Sequence, residues 1–300
     1  MPFSSRIQSF IDKAEQKVTH EVQQRFPNAP PVPTLSKPRP QPGAAYWQPQ
    51  FSPNEPVSTH FQHMTGQHGW GNNEAQNYIA SPETSFCGTD TLTLRAIIQH
   101  NQPENAHKFT SARLTSHQTF GRPRGSLSAH IIAPVAQGIW PAFWLLPAEP
   151  YTWPTDGEID IFEAWNGEAT NHSCLHWGHF NGPDHDKHRV VESPIPGISA
   201  QGARFDFAWE EDEATGQGRF VWYIDSKPVM KASKPAGTRR MRDFRIMINI
   251  AVGGNVCKGK MPGDGTYEMV VRNLAMWEEP PGGWGRFNGD FCSAREGHMM

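Results

Sequence analysis

Glu158, Asp160 and Glu163 lie within six residues of one another in the segment DGEIDIFEAW, 156–165. In an extended strand alternate side chains share a face, so Glu158 and Asp160 point one way while Ile159 and Ile161 point into a core. Simple alternation would put Phe162 after Asp160 and leave Glu163 on the wrong side. A single β-bulge near Ile161–Phe162 returns Glu163 to the acidic face. The chemistry open to such a row is double displacement at an acetal carbon. One carboxylate attacks, a second, protonated carboxyl donates to the leaving oxygen, and the two stand about 5–5.5 Å apart. Asp160 between them can hydrogen-bond the attacking group, and negative neighbours raise the pKa of the acid. The same three residues also admit two plainer readings, an exposed acidic strand and a calcium site.

A strand of this kind needs a sheet to hold it. From about Thr59 to Glu278 short apolar runs are bounded by Gly, Pro, Asn or Asp, the pattern of strands and turns. They are TLTLRAIIQ, GSLSAHIIAP, GIWPAFWLLP, GEIDIFEAW, ATNHSCLHWG, ARFDFAWEE, GRFVWYID, FRIMINIAV and GTYEMVVRNLAMWE. GRFVWYIDSKPVMKA reads as a hairpin. No 20–50-residue repeat is present. The class is all-β, an antiparallel two-sheet β-sandwich. Ahead of it, Ile7, Phe10, Ile11, Ala14, Val18 and Val22 recur at helical spacing, which predicts an amphipathic helix within residues 1–26 that docks on the main domain. Residues 27–56 form a Pro-rich connector, extended on the surface. The catalytic domain is expected over 57–280, and residues 281–300 as an irregular tail.

The chain has 300 residues, a formal net charge of −3, 11 Trp, and 27 each of Gly and Pro. The charge argues against nucleic acid and anionic membranes as partners, and no apolar run approaches the roughly 20 residues of a membrane helix. Turn-rich, Trp-rich composition fits a β fold with a sugar-binding surface, with about half the Trp in the core. Cys87, Cys174, Cys257 and Cys292 form no CxxC pair; their pairing stays open. Five histidines, His172, His176, His179, His185 and His188, crowd one segment. Without an H-E-x-x-H helix they are not expected to hold zinc. The N-terminus has no hydrophobic stretch after a basic start, so no secretion signal is visible. The expectation is an intracellular or non-classically exported monomer.

The flanking segments carry a resemblance. GWGNNEAQNY (69–78), FTSARL (109–114), GIWPAFWLLP (138–147), WPTDGEIDIFE (153–163), LHWG (175–178), FVWYID (220–225) and NIAVGGN (249–255) occur in one order over most of the chain. Together they resemble glycoside hydrolase family sixteen, in its laminarinase-like branch. The resemblance implies a jelly-roll, concanavalin A-like sandwich with a sugar cleft. It implies Glu158 as nucleophile, Glu163 as acid/base and Asp160 as their helper. The spacing E-x-D-x-x-E is the bulged form of laminarinase-like members, which points to β-1,3-glucan or mixed β-1,3/1,4-glucan, although some bulged members cut agar. For substrate binding the resemblance puts forward Trp153, Asn73, Glu74, Arg113 and His176, the last beside Glu163 or the leaving sugar. Trp140, and more weakly Trp165 and Trp177, are stacking candidates because aromatic rings pack on pyranose faces, whereas Trp144 is read as core. A structural salt bridge is the competing role for Arg113. No cofactor is implied beyond a structural calcium, for which the sequence offers no specific ligand set. The family is usually secreted, and commonly has Trp after GGN where this chain has Val256-Cys257. Transglycosylation and non-catalytic carbohydrate binding are the alternatives; the intact carboxylate set argues against the second.

Overall fold

Apolar side chains at alternate positions let a strand bury one face. In ARFDFAWEE, Phe205, Phe207 and Trp209 are all fully buried in the main core. That pattern recurs through the computed structural model, which describes residues 43–179 and 187–299. The helix expected within 1–26, most of the connector and His185 lie outside the described residues. The chain divides into Met1–Pro40 and Gln41–Met300, and the second unit carries the sandwich.

The strands of the first half are β1 (Ala45–Trp47), β2 (Phe61–His63), β3 (Asn77–Tyr78), β4 (Ser85–Gly88), β5 (Thr91–Ile98), β6 (Phe109–Ser111), β7 (Arg113–Thr119), β8 (Arg124–Ile132) and β9 (Ile139–Pro147). The second half adds β10 (Glu158–Glu163), β11 (Thr170–His176), β12 (His188–Pro194), β13 (Ala203–Glu211), β14 (Gly218–Ile224), β15 (Lys227–Ser233), β16 (Phe244–Val252) and β17 (Gly265–Trp277). Among the described residues two α-helices, α1 (Asn105–Lys108) and α2 (Gly283–Ser293), accompany them. One sheet runs β15-β14-β13-β8-β17-β5-β6-β3, with β1 on β17 and β4 on β5; the other runs β12-β11-β10-β9-β16-β7-β2. Pairings between these strands are antiparallel except β3 with β6. The fold is the antiparallel two-sheet sandwich that the sequence pattern implies.

The sheets meet through aromatic and aliphatic side chains, and β10 is tied across the layer twice. Phe162 packs on Phe205 with ring centroids 4.9 Å apart, and the Trp222 indole donates to the Asp160 carbonyl oxygen at 2.9 Å. The hairpin β14–β15 turns on Asp225 and Ser226, both at positive φ (48° and 63°), as a two-residue loop of the primed kind requires.

Two differences from the sequence reading stand out. The connector does not run free to residue 56: Ala45 pairs with Trp277 and Phe51 is buried in the core. The tail is not irregular either. Phe287 of α2 is fully buried against Ala208, Val221 and Tyr223, and Arg219 lies over the rings of Phe287 and Phe291. Gly283, Gly285 and Gly289 weaken helix propensity, which hides α2 from a pattern reading; tertiary packing overrides it. Beyond α2 the chain bridges the two sheets. Lys231 N–H of β15 donates to the Arg295 carbonyl at 2.8 Å, and Val190 of β12 exchanges hydrogen bonds with His298 at 2.8 and 3.0 Å. Gly297 is required there, because a Cβ would sit 2.7 Å from Arg189 Cβ and 2.9 Å from the Val190 nitrogen.

Candidate active site

The β10–β9 register runs Ile159–Leu145, Asp160–Trp144, then Phe162–Phe143 and Glu163–Ala142, so Ile161 is the extra residue of a bulge. Ile161 and Phe162 both enter the core. Fully burying a Phe contributes about 2–3 kcal/mol, more than the roughly 1 kcal/mol of a ladder hydrogen bond, which is why the apolar pair holds the bulge in place. The interrupted ladder is completed by a side chain. Asn171, fully buried on β11, accepts from Glu163 N–H at 3.0 Å and donates to the Ile161 carbonyl at 3.3 Å. Sequence reading misses Asn171, since nothing in the pattern ATNHSCLHWG separates it from an exposed strand polar residue.

Each carboxylate then has its own neighbours. The Trp153 indole N–H donates to Glu158 Oε2 at 2.9 Å, and the Trp140 indole N–H donates to Glu163 Oε1 at 2.6 Å. Asp160 is 4% exposed, and its Oδ2 lies 3.4 Å from His176 Nε2. His176 also lies 3.9 Å from Glu158 Oε1, opposite Glu158 in the β10–β11 register. Burial, then the charge of Asp160, raises Glu158 to about 7 against the opposing pull of His176. The same two causes raise Glu163 well above the usual carboxylate range. Burial works to lower His176, but Asp160, Glu158 and Glu163 outweigh it and raise the imidazolium to about 9. The set thus holds a proton on one carboxyl near neutrality while the imidazolium offsets the rest of the charge.

Trp153 is 45% exposed, an open ring beside Glu158. On the other flank Trp140 sits edge-on to Trp165, centroids 6.3 Å apart, and Trp165 stacks on His172 at 3.7 Å.

Residues 71–194 match the family described as "XgeA-like, catalytic GH16 domain". The β-glucanase of Rhodothermus marinus is 30% identical over 205 residues, covering 63% of this chain and 68% of that protein. The chain belongs to glycoside hydrolase family sixteen. The glucan endo-1,3-beta-glucosidase A1 of Niallia circulans is 24% identical over 240 residues, covering 72% of this chain; the chain spans only 35% of that relative's length. Among solved structures, the laminarinase from Rhodothermus marinus superposes with a TM-score of 0.66 at 25% identity, covering 80% of this chain and 98% of that one.

In this family-sixteen chain a second cluster continues the same sheet face beyond β9. Arg113, 8% exposed, is held between two indoles, 4.6 Å from the Trp70 ring and 4.7 Å from the Trp144 ring. Trp144 donates to Asn249 Oδ1 at 2.7 Å, and Asn249 Nδ2 donates to the Tyr78 hydroxyl at 3.1 Å. Glu74 accepts from Gln76 at 2.6 Å and from Tyr78 at 3.4 Å; burial raises its pKa. Trp144 is therefore no core residue. It shares a face with Trp140 because both lie at the same parity on β9. Arg113 does not form a salt bridge among the described residues; it stacks between rings. His176 sits nearest Asp160 and Glu158, at 3.4 and 3.9 Å, because the β10–β11 register sets it opposite Glu158, five residues before Glu163. Asn73 is exposed and donates to Asn255 Oδ1 at 2.9 Å. Trp177 packs against the main core with Arg189 over its ring. Sequence reading also misses Trp70 and Asn249. Trp70 sits in GWGNNE at φ 47°, and its glycine neighbours are the available signal for an unusual backbone.

Proposed function

We propose that this chain is an endo-acting retaining glycosidase that hydrolyses β-1,3-glucan or mixed β-1,3/1,4-glucan. The observation that carries the reading is the bulge at Ile161, which brings Glu163 to the face of Glu158 and Asp160. Glu158 attacks the anomeric carbon, and the electrons of the breaking bond pass to the leaving oxygen, which takes the Glu163 proton. In the second half Glu163 removes a proton from water, the water oxygen bonds to the anomeric carbon, and Glu158 is released. Asp160 and the Trp153 indole position Glu158, and the Trp140 indole positions Glu163. The linkage preference draws on the names of the two relatives above and on the bulged spacing. Incubation with laminarin, lichenan and agarose, with products profiled over time, tests it. The expected result is a ladder of oligosaccharides from laminarin or lichenan, each new reducing end first formed as the β-anomer. Release of glucose alone, products from agarose only, or an initial α-anomer overturns it.

Trp153 makes two contributions that substitution separates. Trp153→Phe keeps the ring but loses the hydrogen bond to Glu158. A hydrogen bond to a charged group is worth about 1.5–3 kcal/mol, so kcat should fall about tenfold or more with KM little changed. Trp153→Ala loses the platform as well, and KM rises too. The ring is exposed, so melting should hardly move, whereas a core Trp→Ala typically costs about 3–5 kcal/mol. Normal kinetics with a sharply lowered Tm would make Trp153 a structural residue.

His176→Gln removes the positive charge that holds Glu158 down. Glu158 must be ionised to attack, so the rising acidic limb of kcat/KM should move to higher pH, with activity at pH 6 down about tenfold. An unmoved acidic limb would mean that His176 does not act through Glu158.

A further inference from the structure

Cys174 and His176 are two residues apart on β11, so both side chains share one face. Cys174 is paired with Asp160 in the β10–β11 register, which sets its thiol against the carboxylate row. One donor atom from each of Asp160, Cys174 and His176 lies within 4.8 Å of the other two. Tetrahedral bonds of about 2.0–2.3 Å place ligand atoms about 3.5 Å apart, so side-chain rotations closing about 1 Å complete the set. The Asp160 Oδ2 atom is buried and finds no well-directed hydrogen bond. Its ion pair with His176 Nε2 at 3.4 Å leaves that oxygen without a hydrogen bond, and a cation seated between the two would satisfy it.

We propose that Asp160, Cys174 and His176 form an inhibitory site for a borderline-soft divalent cation of the Zn²⁺ type. Thiolate, imidazole and carboxylate together suit such an ion. Glu158 Oε1, 3.9 Å from His176 Nε2, completes the four-coordinate shell. The charge balances: the ion displaces one proton from the Cys174 thiol and one from the His176 imidazolium, so two protons leave as one dication enters. Access is from the sheet face that carries Glu158 and His176, where His176 is half-buried while Cys174 and Asp160 are buried. By themselves the five crowded histidines are not expected to hold zinc; the geometry groups one of them, His176, with a cysteine and the central carboxylate. Occupancy pins Glu158 and Asp160, so the inhibitory consequence rests on the glycosidase reading above, while binding itself does not.

Cobalt(II) reads the site without any activity. Titration of the full chain with CoCl₂ should give a thiolate-to-cobalt charge-transfer band saturating at one equivalent. Cys292→Ser, which removes the exposed thiol, should keep the band. Cys174→Ser should abolish it, and His176→Gln should weaken binding at least tenfold. No band at saturating cobalt, or a band that survives in Cys174→Ser, overturns the proposal. Melting curves of each variant establish that it is folded. In the second arm ZnCl₂ should inhibit laminarin hydrolysis reversibly to EDTA, and Cys174→Ser, measured against its own zinc-free rate, should need at least tenfold more zinc. Equal zinc sensitivity in the two proteins overturns the inhibitory role. Should the chain cleave no glucan, the cobalt titration still decides whether the site exists.

Discussion

Glu158→Gln is expected to lower kcat on laminarin by about 10⁴-fold or more, equivalent to about 5 kcal/mol of transition-state stabilisation, with glucan binding retained. The amide keeps the shape of the carboxyl and cannot attack. The same substitution should raise stability. In the fold Glu158 titrates at about 7 against an ordinary value of 4.5. Between those pH values the folded chain holds a proton that the unfolded chain has released. Stability therefore falls as pH rises from about 4.5 to about 7, and above that range the ionised group costs the fold about 3 kcal/mol. Glu158→Gln removes this cost, so its Tm should exceed that of the wild type by several degrees at pH 8, with the difference shrinking near pH 4. Turnover assays and melts at the two pH values check both halves. Turnover like the wild type would remove Glu158 from the chemistry. A Tm gain of the same size at pH 4 and pH 8 would remove the buried carboxylate as its cause.

Glu163→Gln should cost about 10³-fold in kcat/KM on laminarin, within the range of a lost general acid. An aryl glucoside with a good leaving group needs no acid in the first half-reaction. On that substrate the glycosyl-enzyme forms and then waits for a base that is missing. Azide needs no base, so it should restore the rate at least tenfold and yield a β-glycosyl azide, because two inversions retain the starting configuration. The pH profile carries an independent mark. Wild-type kcat/KM should rise through the Glu158 ionisation near 7 and fall where Glu163 loses its proton, the apparent values belonging to the coupled pair. Glu163 is raised by burial, then by Asp160, so that fall lies well above the usual carboxylate range, and in Glu163→Gln it should vanish. A variant that keeps the alkaline fall and ignores azide would require another acid/base.

The bulge is legible in the sequence alone because Phe162 occupies a position that alternation reserves for a polar residue, with Glu163 one place late. The sandwich is legible in β13, β14 and β16, whose apolar positions alternate or run continuously between turn residues. What stays hidden depends on contacts across the sheet. Asn171 repairs the β10–β11 ladder through its side-chain amide, and a strand asparagine carries no local mark of that duty. Trp144 shares parity with Trp140, but only the placement of Arg113 and Asn249 distinguishes an aromatic half-site from a buried core ring. The resemblance puts His176 beside Glu163 or the leaving sugar, and its nearest carboxyls, Asp160 and Glu158, follow from a cross-strand register that LHWG alone does not reveal. β12 and α2 escape detection for different reasons: the first offers only the apolar pair Val190 and Val191 between polar neighbours, the second is rich in glycine.

The segment after α2 has a consequence for how these molecules coexist. β15 and β12 are the terminal strands of the two sheets on one side of the sandwich, and terminal strands present unpaired N–H and C=O groups that invite strand addition from another chain. Residues 295–298 engage both of them, with Val190 satisfied in each direction by His298. Gly297 lets the backbone lie close enough to do so. This short stretch covers part of both edges with the chain's own backbone, the kind of cover that blunts strand addition. It lies far along the chain from the carboxylates, and by occupying these backbone groups it leaves fewer of them open to another chain.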